Sequence, residues 1–199
     1  MLLIGSLSSP FVRMIRALCA ELDVDFTFEE MPPFTKMEKS HIARLTQANP
    51  LMKIPVLIDG EQSVLESRMI AAYVMAKKQG LGASFAAPGP VEQENILSVI
   101  YGVVDSGILR FIMSGQGMDL ESGYLKKSLK RMHAGLQFLE AQNTLGQDFG
   151  YNEIALICAM EWFEKRGLID LSSYTRLGEI HALYKDRSCL ATTRIPEQI

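Results

Sequence analysis

The texture of the sequence changes once, and the place where it changes constrains the fold more than any other feature. Up to about residue 80, short apolar runs alternate with stretches in which apolar residues recur every three or four positions; beyond about residue 90 only the helical spacing remains. Between them runs Gly80-Leu81-Gly82-Ala83-Ser84-Phe85-Ala86-Ala87-Pro88-Gly89-Pro90, a glycine- and proline-punctuated stretch with the character of a linker. The pattern predicts an α+β domain over residues 1–80, a linker over 81–90 and an all-helical domain over 91–199. A chain of 199 residues has room for two small domains with cores of their own.

In the first part, Leu2 to Ile4 is a short apolar run ending in small residues, as a buried strand does. Ser9-Pro10 then opens a helix: serine is a favoured N-cap, proline suits the first helical position, and Phe11, Met14, Ile15, Leu18 and Leu22 follow at helical spacing. Phe26 to Phe28 is a second strand, and Lys36 to Ala48 a polar helix stopped by Asn49-Pro50. Pro55 to Ile58 and Ser63 to Leu65 read as two strands joined by a tight turn at Asp59-Gly60, and Glu66-Ser67 precedes a helix from Arg68 to Lys78. The order is strand, helix, strand, helix, strand, strand, helix. In the second part, Val91 to Ser114 reads as one long helix. Leu125, Leu129, Met132, Leu136 and Leu139 mark an amphipathic helix, and Ile154 to Phe163 is apolar almost all round, as a central bundle helix is.

Composition excludes several function classes. Lys and Arg number 20 against 23 Asp and Glu, so there is no basic surplus of the kind that displaces counterions from a nucleic acid. The first 80 residues hold 9 basic and 9 acidic side chains and the remainder 11 and 14, which places the net charge of −3 in the helical part. Lys126, Lys127, Lys130 and Arg131 form a basic helix face that reads as solvated. The purely apolar runs, such as Ile70 to Ala76 and Ile154 to Met160, fall short of the roughly 20 residues of a membrane span, and the N-terminus lacks a basic flank. The expectation is a cytoplasmic protein with no membrane segment. Cys19, Cys158 and Cys189 form neither a CxxC pair nor an even framework, and His41, His133 and His181 lie far apart, so neither a redox pair nor a metal site is expected.

Four pieces of the first part, taken together, resemble the N-terminal domain of the cytosolic glutathione transferase superfamily. They are Ser8-Ser9-Pro10-Phe11-Val12-Arg13, Asn49 through Leu57, the Glu66-Ser67 pair, and Ile70 to Tyr73. The Ser-Pro-Phe run is similar to the serine-type branch that includes tau, zeta and several bacterial classes. The resemblance implies a thioredoxin-like βαβαββα domain with a mixed four-stranded sheet, followed by a helical bundle, and a homodimer that uses glutathione as co-substrate against a small hydrophobic electrophile. Two departures stand out. Leu7 lies near the place where tyrosine-type members carry a phenol, and Gly150 and Glu153 replace the Ser/Thr and Asp that usually cap the central helix.

The resemblance also implies roles. Glutathione chemistry requires a thiolate near neutral pH, whereas a free thiol titrates near 8.5. Ser9 at a helix N-terminus could donate its hydroxyl hydrogen to the sulfur while the helix dipole adds positive potential; on local pattern alone Ser9 is an N-cap, and Ser8 and Ser6 are fallback donors. The bond before Pro55 is expected cis, letting the backbone of Ile54 pair with the cysteinyl backbone of glutathione. Ser67 suits the γ-glutamyl carboxylate, Glu66 the adjacent ammonium, and Lys53, helped by Lys39 or Lys36, the glycyl carboxylate. The electrophile pocket is expected between the domains, lined by Leu7 and Phe11 on one side and by Tyr101, Asp105, Ile108 and Phe111 on the other, although the same positions serve a helix core. Two other functions fit the same site: a non-catalytic binding or regulatory protein, and a glutathione-dependent isomerase or thiol lyase.

Overall fold

A computed structural model of the protein describes residues 1–82 and 84–197, so Ala83 of the expected linker and the last two residues of the expected second domain lie outside the described residues. The chain divides into two compact units. The first is Met1–Ala87 together with the C-terminal stretch that begins at Ser188, and the second is Pro88–Arg187. The expected domain over 91–199 therefore differs at its end.

The first unit contains β1 (Leu2–Gly5), α1 (Pro10–Glu21), β2 (Thr27–Glu30), α2 (Lys39–Ala48), β3 (Val56–Asp59), β4 (Gln62–Leu65), α3 (Ser67–Lys78) and, from the chain's end, α8 (Ser188–Ala191). The strands form one mixed sheet in the order β2-β1-β3-β4, with β1 parallel to β2 and the other pairs antiparallel. This is the expected thioredoxin-like βαβαββα arrangement. Its register carries Leu3 beside Leu57 and Leu57 beside Val64, while Ile4, Val56 and Leu65 line up across the opposite face. On that second face Ile4 and Val56 pack with Met31 and with Leu45 and Ala48 of α2. α1 and α3 pack against each other and α3 against β3 and β4. β1 ends at Gly5 because α1 closes on it: a Cβ there would stand 2.5 Å from Cγ2 of Val12. The β3-β4 turn pairs Asp59 with Gln62, so its two free residues are Gly60 and Glu61, one place later than the expected dipeptide. Gly60 supplies the positive φ of 62° that a two-residue hairpin needs there.

Boundaries differ from the pattern in two informative places. β2 begins at Thr27 and runs to Glu30, following the ladder with β1 rather than the apolar run from Phe26. The predicted helix from Lys36 begins only at Lys39. A 3-10 turn over Phe34–Lys36 and an extended Met37 precede it, and the Glu38 N–H donates to His41 Nδ1 at 3.2 Å, closing the first turn.

An ion pair on this unit gives a pH prediction. Lys77 and the Tyr73 hydroxyl both donate to the Asp59 carboxylate, tying α3 to the end of β3, and the Lys77 bond foremost holds the Asp59 carboxyl below its usual range. The folded state thus favours the ionised form. Its stabilisation is complete above the unfolded carboxyl pKa near 4 and is lost as pH falls through the lower folded value. Because the pair is partly solvated, the contribution is expected to be under about 1 kcal/mol. Urea unfolding of Asp59→Asn beside wild type should show that gap at pH 7 and a progressively smaller one as the pH falls below about 4.

The C-terminal stretch joins the first unit through α1. Arg13, 1% exposed, donates from Nη2 to the Leu190 carbonyl at 3.4 Å, and α8 packs along α1.

The second unit is all helical: α4 (Val91–Gly115), α5 (Gly123–Glu140), α6 (Tyr151–Arg166) and α7 (Thr175–Tyr184). α6 is the expected central helix, buried from Glu153 through Met160 and again at Trp162 and Phe163, with α4 and α7 packed against it. Glu153 is buried and its two carboxylate oxygens accept from the Gly146 and Gly150 N–H groups, each at 2.9 Å, so the substituted capping position retains its reach back to the cap. The first N–H groups of α7 are capped by Glu140 of α5, which accepts from Arg176 at 2.8 Å and Leu177 at 3.0 Å. By length and composition α4 is long and apolar enough to cross a membrane, because scattered polar residues interrupt its apolar runs without lowering their average. Here it packs against α5 and α6.

Candidate functional site

The sheet register gathers the sequence-predicted glutathione residues of the first unit. Ile4, Val56 and Leu65 sit side by side on β1, β3 and β4. Ser6 to Ser9 follow the end of β1, Ile54 and Pro55 precede β3, and Glu66 and Ser67 follow β4, so all three segments leave the same end of the sheet. Neighbouring strands are about 5 Å apart, which sets these segments within about 10 Å of one another.

Ser9 is the N-cap of α1, in extended conformation at φ −83° and ψ 127°, with Pro10 as the first helical residue. Its Oγ accepts from the Val12 N–H at 3.4 Å, and its own N–H donates to the Ser6 carbonyl at 3.0 Å. Accepting leaves the hydroxyl hydrogen to be donated elsewhere, so cap and thiol donor are compatible roles. Next to it Ser6, buried, and Ser8, half-buried, bring their hydroxyl oxygens to 3.0 Å.

The Ile54-Pro55 bond is cis. Ile54 is half-buried, its side chain against the core beneath α2, and Lys53 before it is exposed. At β4's end the cap is Glu66, which adopts a φ of 66°: its carbonyl accepts from the Ile70 N–H at 2.9 Å and its side chain is exposed, while Ser67 is the first helical residue, 4% exposed. The site thus has two helix N-termini, those of α1 and α3, each with a serine. Lys39 is exposed and opens α2, and Lys53, also exposed, follows its far end.

Of the expected electrophile-pocket residues, Leu7 and Phe11 are half-buried in the first unit. In the second unit, Tyr101 and Ile108 are half-buried on α4 and Asp105 is exposed. The Tyr101 hydroxyl meets that of Tyr151 at 2.6 Å, and Phe111 stacks edge-on against Trp162 with Arg166 over its ring.

Cysteine is not the nucleophile this site offers. Cys19, Cys158 and Cys189 are all buried, and burial pushes the Cys19 thiol up to about 12. The native protein should react with no fast thiol equivalents in an Ellman titration and with three once guanidinium unfolds it; prompt native labelling would contradict the burial.

Residues 3–81 match the family model for the glutathione S-transferase N-terminal domain. Over those residues the first unit is similar to such a domain. Across both units the chain is similar in fold to solved glutathione S-transferases. One from Methylobacillus flagellatus, with glutathione bound, aligns at a TM-score of 0.79 and 22% identity, covering 98% of this chain and 99% of that one. One from Methylobacterium radiotolerans, in complex with glutathione sulfonate, gives 0.79 and 22% over 98% and 94%. The tau-class enzyme of mango gives 0.72 and 18% over 99% and 93%. In sequence the chain is 26% identical over 175 residues, 83% of each protein, to the uncharacterized GST-like protein YibF of Escherichia coli K12. The similarity to the glutathione S-transferase N-terminal domain ends at residue 81. Sequence reasoning passed over two residues of the first unit, Arg13 and Asn49. Both were quoted as part of a motif, and a charged or amide side chain in an otherwise apolar or turn-forming run was the available signal.

Proposed function

We propose that the protein is a serine-type glutathione transferase, in which Ser9 stabilises the glutathione thiolate for attack on a small hydrophobic electrophile. The observation that carries this reading is the register that puts the α1 and α3 N-termini and the Ile54 backbone at one end of the sheet. Glutathione carries two carboxylates, one ammonium and a peptide backbone. Ser67 and the α3 N-terminus match the γ-glutamyl carboxylate, Glu66 the ammonium, the Ile54 backbone the cysteinyl unit, and Lys53, with Lys39 as a weaker contributor, the glycyl carboxylate. That places the thiol by α1.

There the Ser9 O–H donates to the sulfur, and the helix dipole favours its negative charge, so the thiol proton leaves to solvent at a lower pH than in free glutathione. The thiolate then forms the carbon–sulfur bond to the electrophile, whose leaving group or addition site takes the displaced electron pair. In the first unit, Leu7 and Phe11 are the residues we assign to the electrophile's surroundings. A cytoplasmic homodimer completes the reading.

Conjugation, isomerisation and peroxidase assays run in parallel with glutathione test it. Conjugation of a small aryl halide is the expected activity. Glutathione binding without turnover in any assay would favour the non-catalytic function, and turnover only with an isomerisable or thioether substrate the isomerase or lyase.

A further inference from the structure

We propose that Asn49 is the positioning residue that aims the Ile54 N–H at bound glutathione. Asn49 is 1% exposed at the end of α2, yet the four residues after it, Pro50 to Lys53, are all exposed. Asn49 orders them. Its Oδ1 accepts from the Leu51 N–H at 2.9 Å, its Nδ2 donates to the Lys53 carbonyl at 2.9 Å, its backbone carbonyl accepts from the Met52 N–H at 2.8 Å, and its own N–H closes on the Leu45 carbonyl at 2.8 Å.

The bond to Lys53 acts directly on the next residue. The Lys53 carbonyl and the Ile54 N–H belong to one planar, trans peptide unit, in which the two groups point in opposite directions. Holding the carbonyl toward the buried amide of Asn49 therefore turns the Ile54 N–H away from the protein. No backbone or side-chain acceptor among the described residues takes that N–H. Beyond it the chain is fixed again, because Val56 pairs with Ile4 and Leu65. The result is a single outward donor between two anchored points, set for a ligand carbonyl.

The inference rests on the glutathione-binding reading, and the test separates the two. S-methylglutathione is titrated calorimetrically into wild type, Asn49→Ala and Asn49→Asp at pH 8, with thermal unfolding as a check on folding. The aspartate keeps the acceptor for Leu51 but, ionised, cannot donate to Lys53. Both variants are expected to bind about 10-fold or more weakly and to raise KM for glutathione in proportion, with kcat at saturating glutathione within about 2-fold of wild type. Wild type that does not bind refutes the glutathione reading itself. Wild type that binds, with folded variants of unchanged affinity, overturns the role of Asn49 alone, as does a loss shared equally by kcat and KM or an aspartate variant that binds like wild type.

Discussion

Ser9→Ala should lower kcat/KM for glutathione by about 100-fold, the usual consequence of removing one hydrogen-bond donor aimed at developing or resident negative charge. The loss should lie in kcat, because the Ser67, Ile54 and Lys53 contacts proposed for the rest of the tripeptide are untouched. The same hydroxyl caps α1 by accepting from Val12, so the variant should also be less stable by about 1 kcal/mol. Ser9→Thr retains both functions and should recover most of the activity. A Ser8→Ala variant provides the control. Ser8 is paired with Ser6, and if its loss rather than that of Ser9 abolishes turnover, the donor is Ser8.

The second large effect is on stability. Glu153→Ala removes one buried carboxylate and strands two N–H groups, those of Gly146 and Gly150, that it holds at 2.9 Å. Hydrogen bonds to charged groups contribute about 1.5–3 kcal/mol each, and the two share one acceptor group, so a destabilisation of about 3 kcal/mol is expected. Glu153→Gln keeps one acceptor oxygen and should lose about half as much. Urea unfolding followed by the fluorescence of Trp162, the one tryptophan and a neighbour on α6, reads this directly. A midpoint shift corresponding to less than about 0.5 kcal/mol would mean that the connection into α6 is held by other contacts.

What the sequence revealed followed from local physics. Ser9-Pro10 announced the start of α1, the alternation around Asp59-Gly60 announced β3 and β4, and the apolar girth of residues 154–163 announced a central helix. Each signal is set within a few residues of where it acts. The proposed site residues come from a motif set, and the register brings their three segments, distant in sequence, to one sheet end through the pairing of Ile4, Val56 and Leu65.

Features decided by long-range contacts were not legible. The C-terminal stretch joins the first unit because a buried Arg13 reaches the Leu190 carbonyl across 177 positions, and no local pattern records that. The start of α2 moved to Lys39 because Glu38 and His41 close a turn that helical spacing alone cannot locate. Asn49 read as a helix stop, which it is, while its side chain's grip on Lys53 depends on a loop folding back on itself.

Whether this protein ionises glutathione is read most directly from the ultraviolet absorbance of the thiolate in the bound complex as a function of pH. A midpoint at least about one unit below the value near 8.5 of a free thiol is expected, moving back toward 8.5 in Ser9→Ala. Glutathione that binds to the wild-type protein and still titrates at or above about 8.5 would contradict that expectation.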